Sequence, residues 1–271
     1  MDDLDRRHME EWKRIGDFLN FPEEQELHDL FRRLASRVLH EFDNLGDYIW
    51  KTPNLIEHER AVEEEKLRSY FPTTGDPKQD EVAQRLRDTR WFYESEKLFV
   101  SFPNWMSSGN LFLALGLFES YCLRLVRLIE QRSKLSLVDA KGRGTSKMLA
   151  FLVSSGIDVF TLSYYREMQV SLRVRNCLIH AEGLLELDKD EKPLRRIIAK
   201  GKYLSPEHVN HRQKRKLPFD EIVVATSDLG DRLTISNDYP RLVTTYARDF
   251  LISAAAEAHR LYAKVDLEKR A

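Results

Sequence analysis

Apolar positions along the first hundred residues recur at helical spacing and do not alternate. In "PEEQELHDLFRRLASRVLHEFDNLGDYIW", Leu27, Leu30, Phe31, Leu34, Val38 and Leu39 fall on one helical face, which predicts an amphipathic helix. Pro22, Glu23 and Glu24 suit its N-terminus, where proline loses no hydrogen bond and carboxylates meet exposed N–H groups. "YFPTTGDPKQD" (70–80) carries Pro72, Gly75 and Pro77 and reads as a break. A further helix is expected from Asp80 to about Leu98, and "SFPNWMSSGN" (101–110) reads as a second break.

The second half changes character. "NLFLALGLFESYCLRLVRLIEQRSKL" is apolar around most of its circumference, as for a helix buried centrally or against a partner chain. "SKMLAFLVSSG" predicts a short helix ended by Gly156. "DVFTLSYYREMQVSLRVRNCLIHAEG" predicts one long helix with Gly183 as its stop. Residues 188–218 read as basic and irregular. "EIVVATSDLGDRLTISND" alternates about Gly230, a hairpin signal. "DYPRLVTTYARDFLISAAAEAHRLYAKV" predicts a terminal helix with Pro240 near its first turn. The fold expected is mainly α: a helical N-terminal extension over 1–104, then a helical bundle with a small β-hairpin over 105–271.

Length and composition add bounds. A chain of 271 residues buries a sizeable core as one large domain or two modest ones. No apolar run is long enough to span a bilayer, and "MDDLDRRHME" lacks the apolar core of a signal peptide. Cys122 and Cys177 stand alone in helical patterns and give neither a disulfide framework nor metal spacing, so a cytoplasmic setting is the default expectation.

Charge is unevenly spread. Residues 1–100 hold 16 Lys and Arg against 24 Asp and Glu, whereas the remainder holds 27 against 20. A polyanionic partner for the second half is one explanation, and ordinary solvated faces are the other. Arg195, Arg196, Lys200, Lys202, Arg212, Lys214, Arg215 and Lys216 are candidate RNA-backbone contacts, with Tyr203 as a stacking face. His208 and His211 sit three apart without a companion Cys or acidic cluster, which favours a surface role over metal binding. Tyr164 and Tyr165 read as packing or groove-lining residues. "GRGTSK" (142–147) lacks the spacing and preceding strand of a phosphate loop and is set aside.

The concentrated chemistry is in "RVRNCLIHAEG" (173–183). Asn176 and His180 lie one turn apart, while Arg175 is turned roughly 140° from His180. RNA cuts itself when a 2′-OH attacks the adjacent phosphate. The reaction needs a base, an acid for the leaving 5′-oxygen, and positive charge on the phosphate. Histidine suits the first two tasks and arginine's fork the third. Asn176 can orient either group. No metal or cofactor is expected. One histidine cannot serve both sides of an in-line displacement, so a two-fold homodimer would supply the second, with helix 110–130 as its face. The plain alternative is an amphipathic helix that ends in a cation and a C-capping histidine.

"LRVRNCLIHAEGLL" resembles the signature of HEPN domains (higher eukaryotes and prokaryotes nucleotide-binding), whose hallmark is Arg-x4–6-His, commonly with Asn after the Arg. The order of parts is similar over residues 105–265: the apolar helix with "FESYCLRL", a short helix, the motif helix, a hairpin and a closing helix. The resemblance implies a metal-independent endoribonuclease, dimeric, acting in toxin–antitoxin, abortive-infection or antiviral defence, with an antitoxin or defence-system partner protein. It implies catalysis by Arg175 and His180 with Asn176 in support, and a supporting place for Glu119. One subgroup carries a Tyr two residues after the His that its nucleotidyltransferase antitoxin modifies; Glu182 stands there, which argues against that kind of partner. Some domains of this architecture do not cleave, so a module binding RNA or a partner protein is the alternative.

Overall fold

The computed structural model describes residues 13, 15–19 and 29–262. The expected helix start at Pro22, Glu23 and Glu24, the position Leu27, and the chain beyond Tyr262 lie outside the described residues. The protein is mainly helical with one two-stranded antiparallel sheet.

Helix α1 (Leu30–Lys51) starts where Asp29 accepts hydrogen bonds from the Phe31 and Arg32 amides. It buries Phe31, Leu34, Ala35, Val38, Phe42, Leu45 and Ile49; of the positions expected on this face Phe31, Leu34 and Val38 are buried, and Leu30 and Leu39 are half-buried. Helices α2 (Pro53–Tyr70) and α3 (Pro77–Glu96) follow, and they bury only Leu67 and Glu94 respectively.

The break expected at 101–110 is not there. A π-turn (Lys97–Ser101) carries α3 directly into α4 (Phe102–Glu130). Pro103 is the reason. Its ring lacks an N–H and crowds the preceding carbonyls, and the widened turn, with Phe102 N–H bonded to Lys97 O, makes room for it. Residue 104 therefore lies inside a helix, and α1 shares one hydrophobic core with α4.

Much of helix 110–130, the segment expected to meet a second copy, is covered within the chain, while Leu113 and Leu123 stay exposed. Leu111, Ala114, Leu115, Phe118, Tyr121, Cys122, Leu125, Val126 and Ile129 are buried, with α1 and the terminal helix α9 (Asp238–Tyr262) packed against α4. A polar tie locks these three elements. Asn110 donates to Thr52 Oγ1 (3.1 Å) and Asn237 Oδ1 (2.8 Å), and Asn237 donates to the Ile49 carbonyl (2.7 Å).

Helix α5 (Gly144–Ser154) and the motif helix α6 (Tyr165–His180) also pack against α4. The single long helix expected over 158–183 is shorter at both ends. A 3-10 turn (Val159–Thr161) comes first, and Tyr164 takes a left-handed conformation (φ 55°) that no helix continues through. At the other end, Glu182 (φ 52°) and Gly183 (φ 82°) are both left-handed, so the helix ends at His180. Gly183 is needed there: a Cβ would stand 2.6 Å from the Leu233 carbonyl oxygen.

The segment expected to be irregular forms α7 (Glu191–Ala199) and α8 (Pro206–Arg215). Its helicity was hidden by Gly201 and Pro206, which separate two short helices and do not dissolve one. The hairpin of β1 (Ile222–Ser227) and β2 (Gly230–Ile235) follows, with Ser227 paired to Gly230. Among the described residues no helix is long and apolar enough to cross a membrane.

Candidate functional site

Three helices bring the site together: α4 supplies Glu119, the first turn of α5 supplies Thr145, and α6 supplies Arg175 and Asn176. Glu119 Oε1 accepts from Arg175 Nη1 at 2.7 Å and from Thr145 Oγ1 at 2.5 Å. Arg175 Nη2 lies 3.4 Å from Asn176 Oδ1. Arg175 Nε is buried without a hydrogen-bond partner. Glu119 therefore fixes one edge of the guanidinium and leaves other donors uncommitted.

These residues line an open cleft of about 540 Å³ whose walls also include Arg143, Gly144, Ser146, Phe160, Tyr165 and Arg173. The exposed side chains of Arg143 and Arg173 have no ion-pair partner among the described residues. Gly144, Thr145 and Ser146 of the first turn of α5 line this cleft, and Arg143 at the N-cap makes no side-chain capping bond. Among the described lining residues three arginines stand against one carboxylate, a composition that suits a phosphate.

His180 is the last residue of α6, exposed, and it has no hydrogen-bond partner among the described residues. It lies about 6 Å farther along the helix than Asn176 and outside the cleft wall. One chain brings Arg175, Asn176 and Glu119 together and leaves His180 exposed outside the cleft lining. Exposed apolar side chains surround this face: Phe160 at 70%, Ile179 at 48% and Val153 at 46%.

The basic segment divides sharply. Arg195 bridges Asp231 (2.6 Å), Glu186 (2.9 Å) and Glu191 (2.9 Å), tying α7 to the hairpin. Arg212 pairs with Glu221 and, at 3.3 Å, with Asp220. Both are held by carboxylates of the same fold. Arg196, Lys200, Lys202, Lys214, Arg215 and Lys216 remain exposed without an ion-pair partner among the described residues. Tyr203 is no stacking face: it is fully buried, its hydroxyl donating to Glu221.

His208 is half-buried, with Nδ1 3.0 Å from Ser205 Oγ and 3.2 Å from the Tyr246 hydroxyl, while His211 is exposed. Tyr164 packs on Tyr246, and Tyr165 both packs on Phe250 and lines the cleft. Burial pushes both thiols, Cys122 and Cys177, up to about 12, so neither is a ready nucleophile. Among the described residues no group of three or more His, Cys, Asp or Glu side chains gathers as a metal site.

Sequence reasoning missed Thr145, Arg143 and Arg173. "GRGTSK" is not a phosphate loop, yet its Gly144, Thr145 and Ser146 line the cleft. The available signal was a helix start rich in small residues and flanked by cations.

Comparison of the chain with protein-family models, with curated proteins and with solved structures finds no match in any of the three.

Proposed function

We propose that the protein is a metal-independent endoribonuclease of HEPN type that works as a homodimer in the cytoplasm, as a toxin or antiviral-defence effector. The observation that carries this reading is the pairing of a Glu119-anchored, incompletely satisfied Arg175 with a free, exposed His180 on one helix. In the proposed reaction His180 takes the 2′-OH proton. The 2′-oxygen bonds to phosphorus as the P–O5′ bond breaks. The 5′-oxygen takes a proton from the second copy's histidine. The products are a 2′,3′-cyclic phosphate and a 5′-hydroxyl. Arg175 meets the charge that develops on the non-bridging oxygens, and Asn176 orients it.

The second copy has a natural seat on this face, where Val153, Phe160 and Ile179 are exposed around the motif helix. Docking there would carry two His180 side chains to one cleft. The test is an RNA with a 2′-O-methyl group at one otherwise cleaved linkage. Cleavage should vanish at that linkage and persist elsewhere; cleavage that ignores the methyl group excludes 2′-OH attack.

A second reading is favoured by the ion pair itself. Arg175 already has a carboxylate partner and His180 does not line the cleft, as in a module that binds RNA or a partner protein without cutting. Retained RNA binding with no cleavage by the dimer would select it.

A further inference from the structure

A separate groove of about 320 Å³ runs between α6 and α7. Its floor is apolar, from Val170, Pro193 and Ile197, and its rim carries Arg166, Arg173, Arg196 and Lys202, with Gln169 between them. All four cations are exposed, and none has an ion-pair partner among the described residues. Among the described residues no carboxylate lines the groove. Nearby, Arg195 shows what a structural cation looks like in this fold, with three carboxylates around it. Four uncompensated cations about one groove repel one another, and the natural relief is a bound polyanion.

The register of α6 says where that polyanion leads. Arg166, Arg173 and His180 are seven residues apart, two helical turns each, so they fall along one stripe at intervals of about 10.5 Å. Gln169 and Arg173 line both the groove and the Arg175 cleft, so the two lie side by side along α6.

We propose that the groove between α6 and α7 holds the phosphate backbone of single-stranded RNA on one side of the scissile linkage and delivers it to His180. The inference rests on the ribonuclease reading above for the choice of RNA. Single strands are favoured because in-line attack by a 2′-OH needs a linkage that can leave helical geometry. The path from Arg166 to His180 spans about 21 Å, or roughly six nucleotides at the stacked spacing of about 3.4 Å. Lys214, Arg215 and Lys216, at the end of α8, line neither the groove nor the cleft and are not part of this path.

The test is fluorescence anisotropy with labelled 2′-O-methyl single-stranded RNA of about twelve nucleotides, which cannot be cut. The full chain is compared with an Arg166→Ala/Arg173→Ala variant, an Arg196→Ala/Lys202→Ala variant, and a Lys214→Ala/Arg215→Ala variant of matched charge. Each groove variant should weaken binding at least tenfold, and together they should flatten the log affinity against log salt slope by about 3, near 0.7 per lost phosphate contact. The α8 variant should change affinity less than threefold. Groove variants that bind like the unaltered chain, or no worse than the α8 variant, overturn the proposal. So does displacement of the RNA by poly-glutamate at equal charge, which would mark the groove as a seat for acidic protein. Groove-dependent binding of this probe, with no cleavage of unmodified RNA of the same sequence, supports the groove and overturns the nuclease reading, so the two failures separate.

Discussion

Glu119 Oε1 stands 2.7 Å from Arg175 Nη1 and accepts the Thr145 hydroxyl at the same oxygen. One carboxylate thus ties the motif helix to the start of α5 and sets the angle at which the guanidinium faces the cleft. Arg175→Ala should lower cleavage by about a hundredfold or more, the cost of losing a donor to developing charge. Glu119→Ala should lower kcat by roughly ten- to a hundredfold through misplacement, with a smaller change in KM. Arg175→Lys should not restore activity, because a lysine cannot hold Glu119 and a phosphate in one planar fork. Single-turnover kinetics on each variant checks all three.

Gly183 governs where the motif helix ends. Its amide bonds back to the Cys177 carbonyl, and its own carbonyl accepts from Leu233 N–H at 2.7 Å. Gly183→Ala places a Cβ against the Leu233 oxygen at positive φ, so it should cost about 1–3 kcal/mol and displace the hairpin from the helix end. Denaturant melts read the stability. A proportionate loss of cleavage would follow from the moved His180.

Burial holds His208 below the ordinary histidine range; Glu207 and Glu221 oppose this shift without cancelling it. His259 is lowered too, again chiefly by burial, against the pull of Asp29. The unfolded chain therefore binds protons that the folded chain refuses. Stability should be full above the ordinary value of about 6.5 and should fall as pH drops through it toward the depressed folded values. Thermal melts at pH 7.5 and 5.5 should show a lower Tm at the acid value. His208→Gln should shrink the difference; an unchanged difference in that variant removes His208 from the account.

Asn110 is the polar hinge of the core. Asn110→Leu fits the helix but strands Thr52 and Asn237 without their donor, at a cost of about 1–3 kcal/mol. Urea titration measures it, and a neutral result would mean that water replaces the tie.

The helical class, the burial stripe of α1 and the hairpin at Gly230 were legible because periodicity and turn chemistry are local. The bridge across 101–110 was not: a proline and small residues read as a stop, and only packing against the core selects the π-turn that admits Pro103. Tyr203 and Arg195 illustrate the limit for charge and aromatic patterns. Sequence shows that they occur in a basic stretch, and only the fold shows that Glu221 and three other carboxylates already hold Tyr203 and Arg195 respectively. Arg175 and Asn176 line the cleft, and His180 is exposed outside its lining.

The most direct measurement is cleavage of single-stranded RNA in EDTA by the full chain and by His180→Ala, with chemical identification of the product ends. The account expects 2′,3′-cyclic phosphate and 5′-hydroxyl ends from the unaltered protein and a loss of at least a hundredfold in the variant. Undiminished cleavage by His180→Ala, or products ending in 5′-phosphate, would contradict it.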